Sequence, residues 1–338
     1  MELSWAHHRL EFKFEAKTSR NTLRTKDTWF IRIYDDLTHN VSIGEAPYFE
    51  GLTPVSRTEF LDELHRVCTE NDTGSHISGI RFGIETALQN LRPLTENAFT
   101  RGEAGIPING LIWMGDKKTM LGRINKKVSD GFHVLKLKIG GINFEDELEL
   151  LEYIRTQFPD RNLEIRLDAN GAFTAENAME KLKRLSEFDV HSIEQPIKAG
   201  NFEEMARICE LSPIPIALDE ELIGYKPYSE KKEILDTIKP RFIILKPSLC
   251  GGLSGANEWV HLAEERNIGW WATSALESNV GLKGLALWLF NKHVTVPQGL
   301  GTGQLYHNNI PSALELHGDK LFYNPEKQFE FPELEWYQ

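Results

Sequence analysis

Val134-Leu135-Lys136-Leu137-Lys138-Ile139-Gly140 alternates apolar and cationic side chains with a period of two and stops at a glycine. That period belongs to a β-strand, so Leu135, Leu137 and Ile139 share one face and Lys136 and Lys138 the other. The same grammar recurs downstream. Leu163, Ile165 and Leu167 alternate with Glu164, Arg166 and Asp168, Ile193 opposes Ser192 and Glu194, and Ile214, Ile216 and Leu218 oppose Ala217 and Asp219. The apolar run Phe242 to Leu245, suited to a strand buried on both faces, leads into Lys246. Lys138, Asp168, Glu194, Asp219 and Lys246 are separated by 30, 26, 25 and 27 positions. A parallel (β/α) barrel of roughly 250 residues gives each unit about 30, which predicts one charged residue per successive strand. Each meets turn residues at its strand end, such as Gly140-Gly141, Asn170-Gly171 and Pro247. All five therefore belong at the C-terminal rim, where barrel active sites are built.

The stretches between read as helices. Phe144, Leu148, Leu151, Ile154 and Phe158 keep helical spacing behind Asn143, a candidate N-cap, with Glu145, Asp146 and Glu147 complementing the helix dipole. Thr174 is placed to cap a second helix, and others are expected at 202–211, 229–238, 256–266 and 282–293. Eight strands are expected, near Leu111, Val134, Ile165, Ile193, Ile216, Ile244, Ala272 and Val296. The first hundred residues have a different texture: Leu10, Phe12, Phe14 and Ala16 alternate with polar residues, two more short runs follow at 30–34 and 41–45, and helical segments at 57–70 and 78–91. The expected class is α/β, a TIM-type (β/α) barrel with an N-terminal α+β capping domain. Its expected parts are the cap (1–104), the catalytic barrel (105–310) and a C-terminal segment packing back on the cap (311–338). A loop over 18–26, with Arg20, Arg24 and Lys26, is placed to close the barrel mouth.

Composition narrows the partners. A chain of 338 residues, 41% hydrophobic and 26% charged, can bury a large core. Its formal charge of -12 argues against nucleic acid or an anionic membrane surface. No apolar run reaches transmembrane length, Met1 to Leu10 lacks a signal-like stretch, and Cys68, Cys209 and Cys250 form no metal-type pattern. A cytoplasmic protein acting on a small molecule is expected; oligomeric state is not legible.

Two lysines facing three carboxylates suit one kind of chemistry. Three oxygen ligands from adjacent strands fit a hard divalent cation, Mg²⁺ first and Mn²⁺ as a substitute. Such a cation makes a substrate carboxylate more acidic at its α carbon by neutralising the enediolate charge. Neutral Lys138 is then the candidate base, and Lys246 reaches in from the opposite side. Taken singly, K-x-K reads as a solvated strand face and a carboxylate at a strand end as a turn former. Structural ion pairs across the barrel are the alternative for all five together.

The motifs K-L-K (136–138), R-L-D-A-N-G (166–171), I-E-Q-P (193–196), A-L-D-E (217–220) and L-K-P (245–247) resemble the enolase superfamily, in its muconate-lactonizing branch. A Lys or His base with Mg²⁺ is an established pattern of that superfamily. Thr18-Ser19-Arg20, Pro107 to Trp113 and Thr273 to Ser278 further resemble the o-succinylbenzoate synthase family within the branch. The resemblance implies Asp168, Glu194 and Asp219 as metal ligands, Lys138 as the base with Lys136 beside it at the substrate, and Lys246 opposite. It sets Ser274 against a succinyl carboxylate. The implied reaction is dehydration of succinyl-hydroxycyclohexadiene-carboxylate to o-succinylbenzoate, a step of menaquinone biosynthesis. N-succinylamino acid racemisation and dipeptide epimerisation are the alternatives, with muconate cycloisomerisation less favoured and a binding barrel without catalysis disfavoured. The dipeptide reading lacks its usual D-x-D, because Gln298 to Gly303 carries no carboxylate.

Overall fold

Alternation near the N terminus folds into long antiparallel strands in the computed structural model, which describes residues 1–17, 22–91, 96–159 and 162–338. Strand β1 (Glu2–Lys17) pairs with β2 (Thr22–Tyr34), and β2 with β3 (Val41–Pro47). Helices α1 (Arg57–Thr69) and α2 (Ser78–Leu91) pack on this sheet around Trp29, Ile31, Phe60 and Leu64. Ser56 and Glu59 cap α1 reciprocally, each side chain accepting the other's backbone N–H. Helix α2 lies close on β3: a Cβ on Gly44 would stand 1.9 Å from the Gly83 carbonyl oxygen. Only glycine permits that approach.

The expected loop over 18–26 is corrected in part. Residues from Thr22 onward belong to β2, because Lys26 pairs in register with Leu10 and its side chain turns inward and is buried. Arg24 is spent on Glu15 at the surface (2.6 Å), so neither cation lines the mouth. Arg20, and with it the stretch Thr18 to Asn21, lies outside the described residues.

After β4 (Ile106–Pro107) the barrel sheet is parallel in the order β5 (Gly110–Ile112), β6 (Val134–Lys138), β7 (Glu164–Asp168), β8 (Val190–Glu194), β9 (Ile216–Leu218), β10 (Phe242–Leu245) and β11 (Gly269–Ala272). Between these strands run α3 (Lys117–Ser129), α4 (Phe144–Gln157), α5 (Ala175–Leu185), α6 (Phe202–Leu211), α7 (Tyr228–Ile238) and α8 (Gly252–Glu265), with α9 (Asn279–Asn291) after β11. The outward apolar faces, such as Leu135, Leu137, Ile165 and Leu167, form the core with those helices. Register sets Lys138 beside Asp168 and Asp168 beside Glu194. The molecule is a TIM-type barrel with an N-terminal capping domain.

The eighth strand expected near Val296 is not a regular strand. Val296 is 41% exposed, and closure rests on single bridges of Gln298 to Ile108 and Gly299 to Thr273. Pro297 has no N–H to give a ladder and the following glycines have no side chains to pack, so pairing stays short. Side chains make up the closure. The Gln298 amide oxygen accepts Ala272 N–H at 2.7 Å, and buried Arg166 donates to the Pro297 carbonyl at 2.8 Å. Beyond residue 310, the hairpin of β12 (Leu314–His317) and β13 (Lys320–Tyr323) pairs with β4, while the tail returns to the cap sheet. There Phe331 meets Phe30 edge-on, Arg32 lies over Trp336, and Tyr337 exchanges two backbone hydrogen bonds with Trp5. No helix among the described residues is long and apolar enough to cross a membrane.

Candidate active site

Five strands of the barrel, β6 to β10, each deliver a charged residue as the last member or the residue just after it. Lys138 ends β6, Asp168 β7 and Glu194 β8, while Asp219 and Lys246 directly follow β9 and β10. Since β6 and β10 are four strands apart in the sheet order, Lys138 and Lys246 face each other across the barrel. Asp168 accepts from both Lys136 (3.0 Å) and Lys138 (3.1 Å). Lys136 also pairs with Glu194, and Lys246 with Asp219. The three carboxylates are 1–2% exposed. All five rungs predicted from the sequence meet in one place.

Burial alone would raise the Asp168 carboxyl, yet the ammonium groups of Lys136 and then Lys138 outweigh it and hold Asp168 well below the usual carboxylate range. Burial likewise works against charge on Lys136 and Lys246, but Asp168 and Glu194 raise the first and Asp219 and Glu194 the second. Glu194 goes the other way. Burial, then the charge of Asp168, push it well above its ordinary value despite Lys136. Glu220, beside Asp219, is pushed up to about 7 by burial and then by Asp219. The lysines leave this cluster with more negative charge than they can stabilise.

That imbalance bears on a cation. Among the described residues no three His, Cys, Asp or Glu side chains are set to hold a metal ion as they stand, and each of the three carboxylates is paired with a lysine. Even so, Glu194 Oε1 is buried without a hydrogen-bond partner among the described residues, which costs about 1–3 kcal/mol unless another group satisfies it. Three carboxylates on adjacent strand ends, one with an orphaned oxygen and a disfavoured charge, are a donor set that fits a hard divalent ion.

A cavity, open at its mouth, lies above the cluster. Lys136, Lys138, Asp168 and Lys246 reach its wall, and the cap roofs it with Leu23 and the loop from Phe49 to Leu52. The Trp113 ring stands 5.9 Å from the Lys138 ammonium and is braced edge-on by Phe14 of β1. Its Nε1, with Asn109 Oδ1 and Thr302 Oγ1 on the same wall, is buried and finds no partner among the described residues. Ser274 also lines the cavity. Its hydroxyl, however, donates to Glu277 at 2.6 Å and accepts Leu276 N–H at 3.0 Å, so it is engaged in holding its own loop.

Several site residues were not singled out by sequence. Asn170, in left-handed backbone (φ 45°), accepts from Lys138 at 2.8 Å and donates to Glu220 at 3.1 Å. Gln195 (φ 42°) accepts the Asp219 N–H at 3.1 Å and so fixes the neighbouring strand end. The signal for both was polar residues in A-N-G and E-Q-P turns where positive φ is tolerated. The cap loop from Phe49 to Leu52 had no such signal.

A family model described as Enolase C-terminal domain-like matches residues 120–303. The o-succinylbenzoate synthase of Desulfotalea psychrophila is 43% identical, over 95% of this chain and 98% of its own length. This chain belongs to the enolase superfamily, in the o-succinylbenzoate synthase family. The crystal structure of MenC from Desulfotalea psychrophila superposes with a TM-score of 0.84 at 40% identity, over 95% of this chain and 99% of that one. The muconate lactonizing enzyme of Pseudomonas fluorescens shares the fold at 19% identity, with a TM-score of 0.82 over 98% of this chain and 96% of that one. In this enolase-superfamily enzyme the matched region carries Lys136, Lys138, all three carboxylates, Lys246 and Ser274.

Proposed function

We propose that this chain dehydrates succinyl-hydroxycyclohexadiene-carboxylate to o-succinylbenzoate, a hydro-lyase step of menaquinone biosynthesis. The observation that carries the reading is the opposition of Lys138 and Lys246 across one cavity whose floor is a buried carboxylate cluster. Lys138 is the general base that takes the proton from the carbon α to the substrate carboxylate. Lys246, as the ammonium, faces the enediolate charge that develops, and buried surroundings strengthen that attraction. Lys136 holds Asp168 and Glu194 in place. The carbon–oxygen bond to the ring hydroxyl then breaks, the electron pair closes the aromatic ring, and Lys138 returns its proton to the leaving hydroxide as water. Asp168, Glu194 and Asp219 would hold Mg²⁺, with Mn²⁺ as a substitute, and a bound ion supplies positive charge for the substrate carboxylate. Trp113 and Leu111 give the ring an apolar wall, and Gly301 leaves room for the succinyl arm.

In this reading residues 1–104 are the cap, 105–310 the catalytic barrel and 311–338 a closing segment. A cytoplasmic location agrees with three free cysteines. Opposed lysines also suit proton transfer on two faces, so N-succinylamino acid racemisation is the second reading. The two are separated by kcat/KM. Rapid appearance of o-succinylbenzoate absorbance is expected from the cyclohexadiene substrate, with far slower exchange or inversion of N-succinylamino acids in D₂O. A higher kcat/KM for racemisation would overturn the dehydratase assignment.

A further inference from the structure

A buried polar chain joins the capping sheet to the turn behind Lys246. It begins at Glu45 on β3, which is wholly buried and accepts the Thr28 hydroxyl at 2.8 Å. From the barrel, Glu45 also accepts the Ser278 N–H (2.9 Å), the Ser278 hydroxyl (2.5 Å) and the Gly281 N–H (2.9 Å). A carboxylate of the cap is thus seated on the N terminus of α9, whose open N–H groups and dipole favour it. One residue before Ser278, Glu277 accepts the hydroxyls of Ser274 and Ser248 on its two oxygens. Ser248 stands two residues after Lys246, in a turn closed by Leu249 N–H (2.7 Å) and Cys250 N–H (3.0 Å) donating to the Lys246 carbonyl. Lys26 of β2 buries its ammonium in the same seam without a hydrogen-bond acceptor among the described residues, under the charges of Glu45 and Glu277.

We infer that Glu277 is a positioning residue that sets where Lys246 stands, and that Glu45 makes this setting depend on the seating of the capping domain. The inference rests on Lys246 facing the substrate in the proposed reaction. Ser248, Ser274, Glu277, Ser278 and Glu45 are all at most 5% exposed, so no water competes for the hydroxyls. With both Glu277 oxygens engaged, the loops after β10 and β11 are held at one spacing. A displacement of about 1 Å at a reacting group can cost 10²-fold in rate.

The mildest test is Ser248→Ala, which removes one hydroxyl and leaves Lys246 and Glu277 in place. Its kcat is expected to fall about 10-fold with KM within twofold of wild type, and Ser248→Thr, which keeps the hydroxyl, should recover most of the loss. Glu45→Gln should also lower kcat. Since both act through Glu277, the double variant should fall short of the product of the single losses. A Ser248→Ala enzyme with unchanged kcat and a lowered Tm would mean the chain is structural only, and strictly multiplicative losses would overturn the link to the cap. Should the wild type prove to act on N-succinylamino acids instead, the same variants are read by α-proton exchange in D₂O. Failure of the dehydratase reading is thereby distinguished from failure of the positioning inference.

Discussion

Lys138 and Lys246 stand in different company, and their variants should differ accordingly. Lys138 shares Asp168 with Lys136 and is held by Asn170, whereas Lys246 pairs with Asp219. Lys138→Ala should remove turnover and α-proton exchange together, by at least about 10²-fold if it is the general base. Exchange that survives in that variant would assign the proton to another residue. Lys246→Ala should cut turnover by about 10²-fold or more through loss of charge stabilisation. The fold should survive both, because each side chain lies at the rim. Asp168 stays charged in either variant, since Lys136 remains beside it.

The elements differ in how much space their glycines are given. Gly44 on β3 has the Gly83 carbonyl and Thr86 where a side chain would go, so Gly44→Ala must push α2 off the sheet. Overpacking of this kind costs about 1–3 kcal/mol. Gly122, exposed in the middle of α3, has nothing within 4 Å of a built Cβ, and Gly122→Ala should stabilise by about 0.5–1 kcal/mol through helix propensity. Urea unfolding monitored by circular dichroism reads both shifts, and equal effects at the two sites would refute the packing argument. Helix α3 itself was not among the expected helices. Its apolar stripe is only Met120, Ile124 and Val128 amid lysines, a pattern too thin to stand out until the barrel buries it.

For the molecule as a whole, cap, barrel and tail share contacts at Glu45, Phe30 and Trp5, so events at the rim should register in global stability. A divalent ion held only by the folded rim would raise Tm with concentration, as any ligand of the native state does. Mg²⁺ or Mn²⁺ should therefore raise Tm after chelation and restore turnover, while Glu194→Gln should blunt the Tm response and stay folded. A Tm indifferent to both ions, with full activity in chelator, would remove the metal from the proposal.

Strand polarity, the order of the charged rungs and the barrel class were legible because they rest on local period and on spacing along the chain, which need no knowledge of distant residues. Helices α4 and α6 were legible for the same reason, α4 with its cap at Asn143 written beside its apolar stripe. The eighth position was not: its closure depends on Arg166 and Gln298 reaching carbonyls and amides across the barrel, contacts that exist only once seven other strands are in place. Lys26 reads as a loop cation but becomes a buried group in the seam, and the hydroxyl of Ser274, which lines the cavity, is engaged by Glu277. In each case the partner is far away in sequence or chosen by a side-chain rotamer. Periodicity carries no information about either, so the packed fold had to choose them.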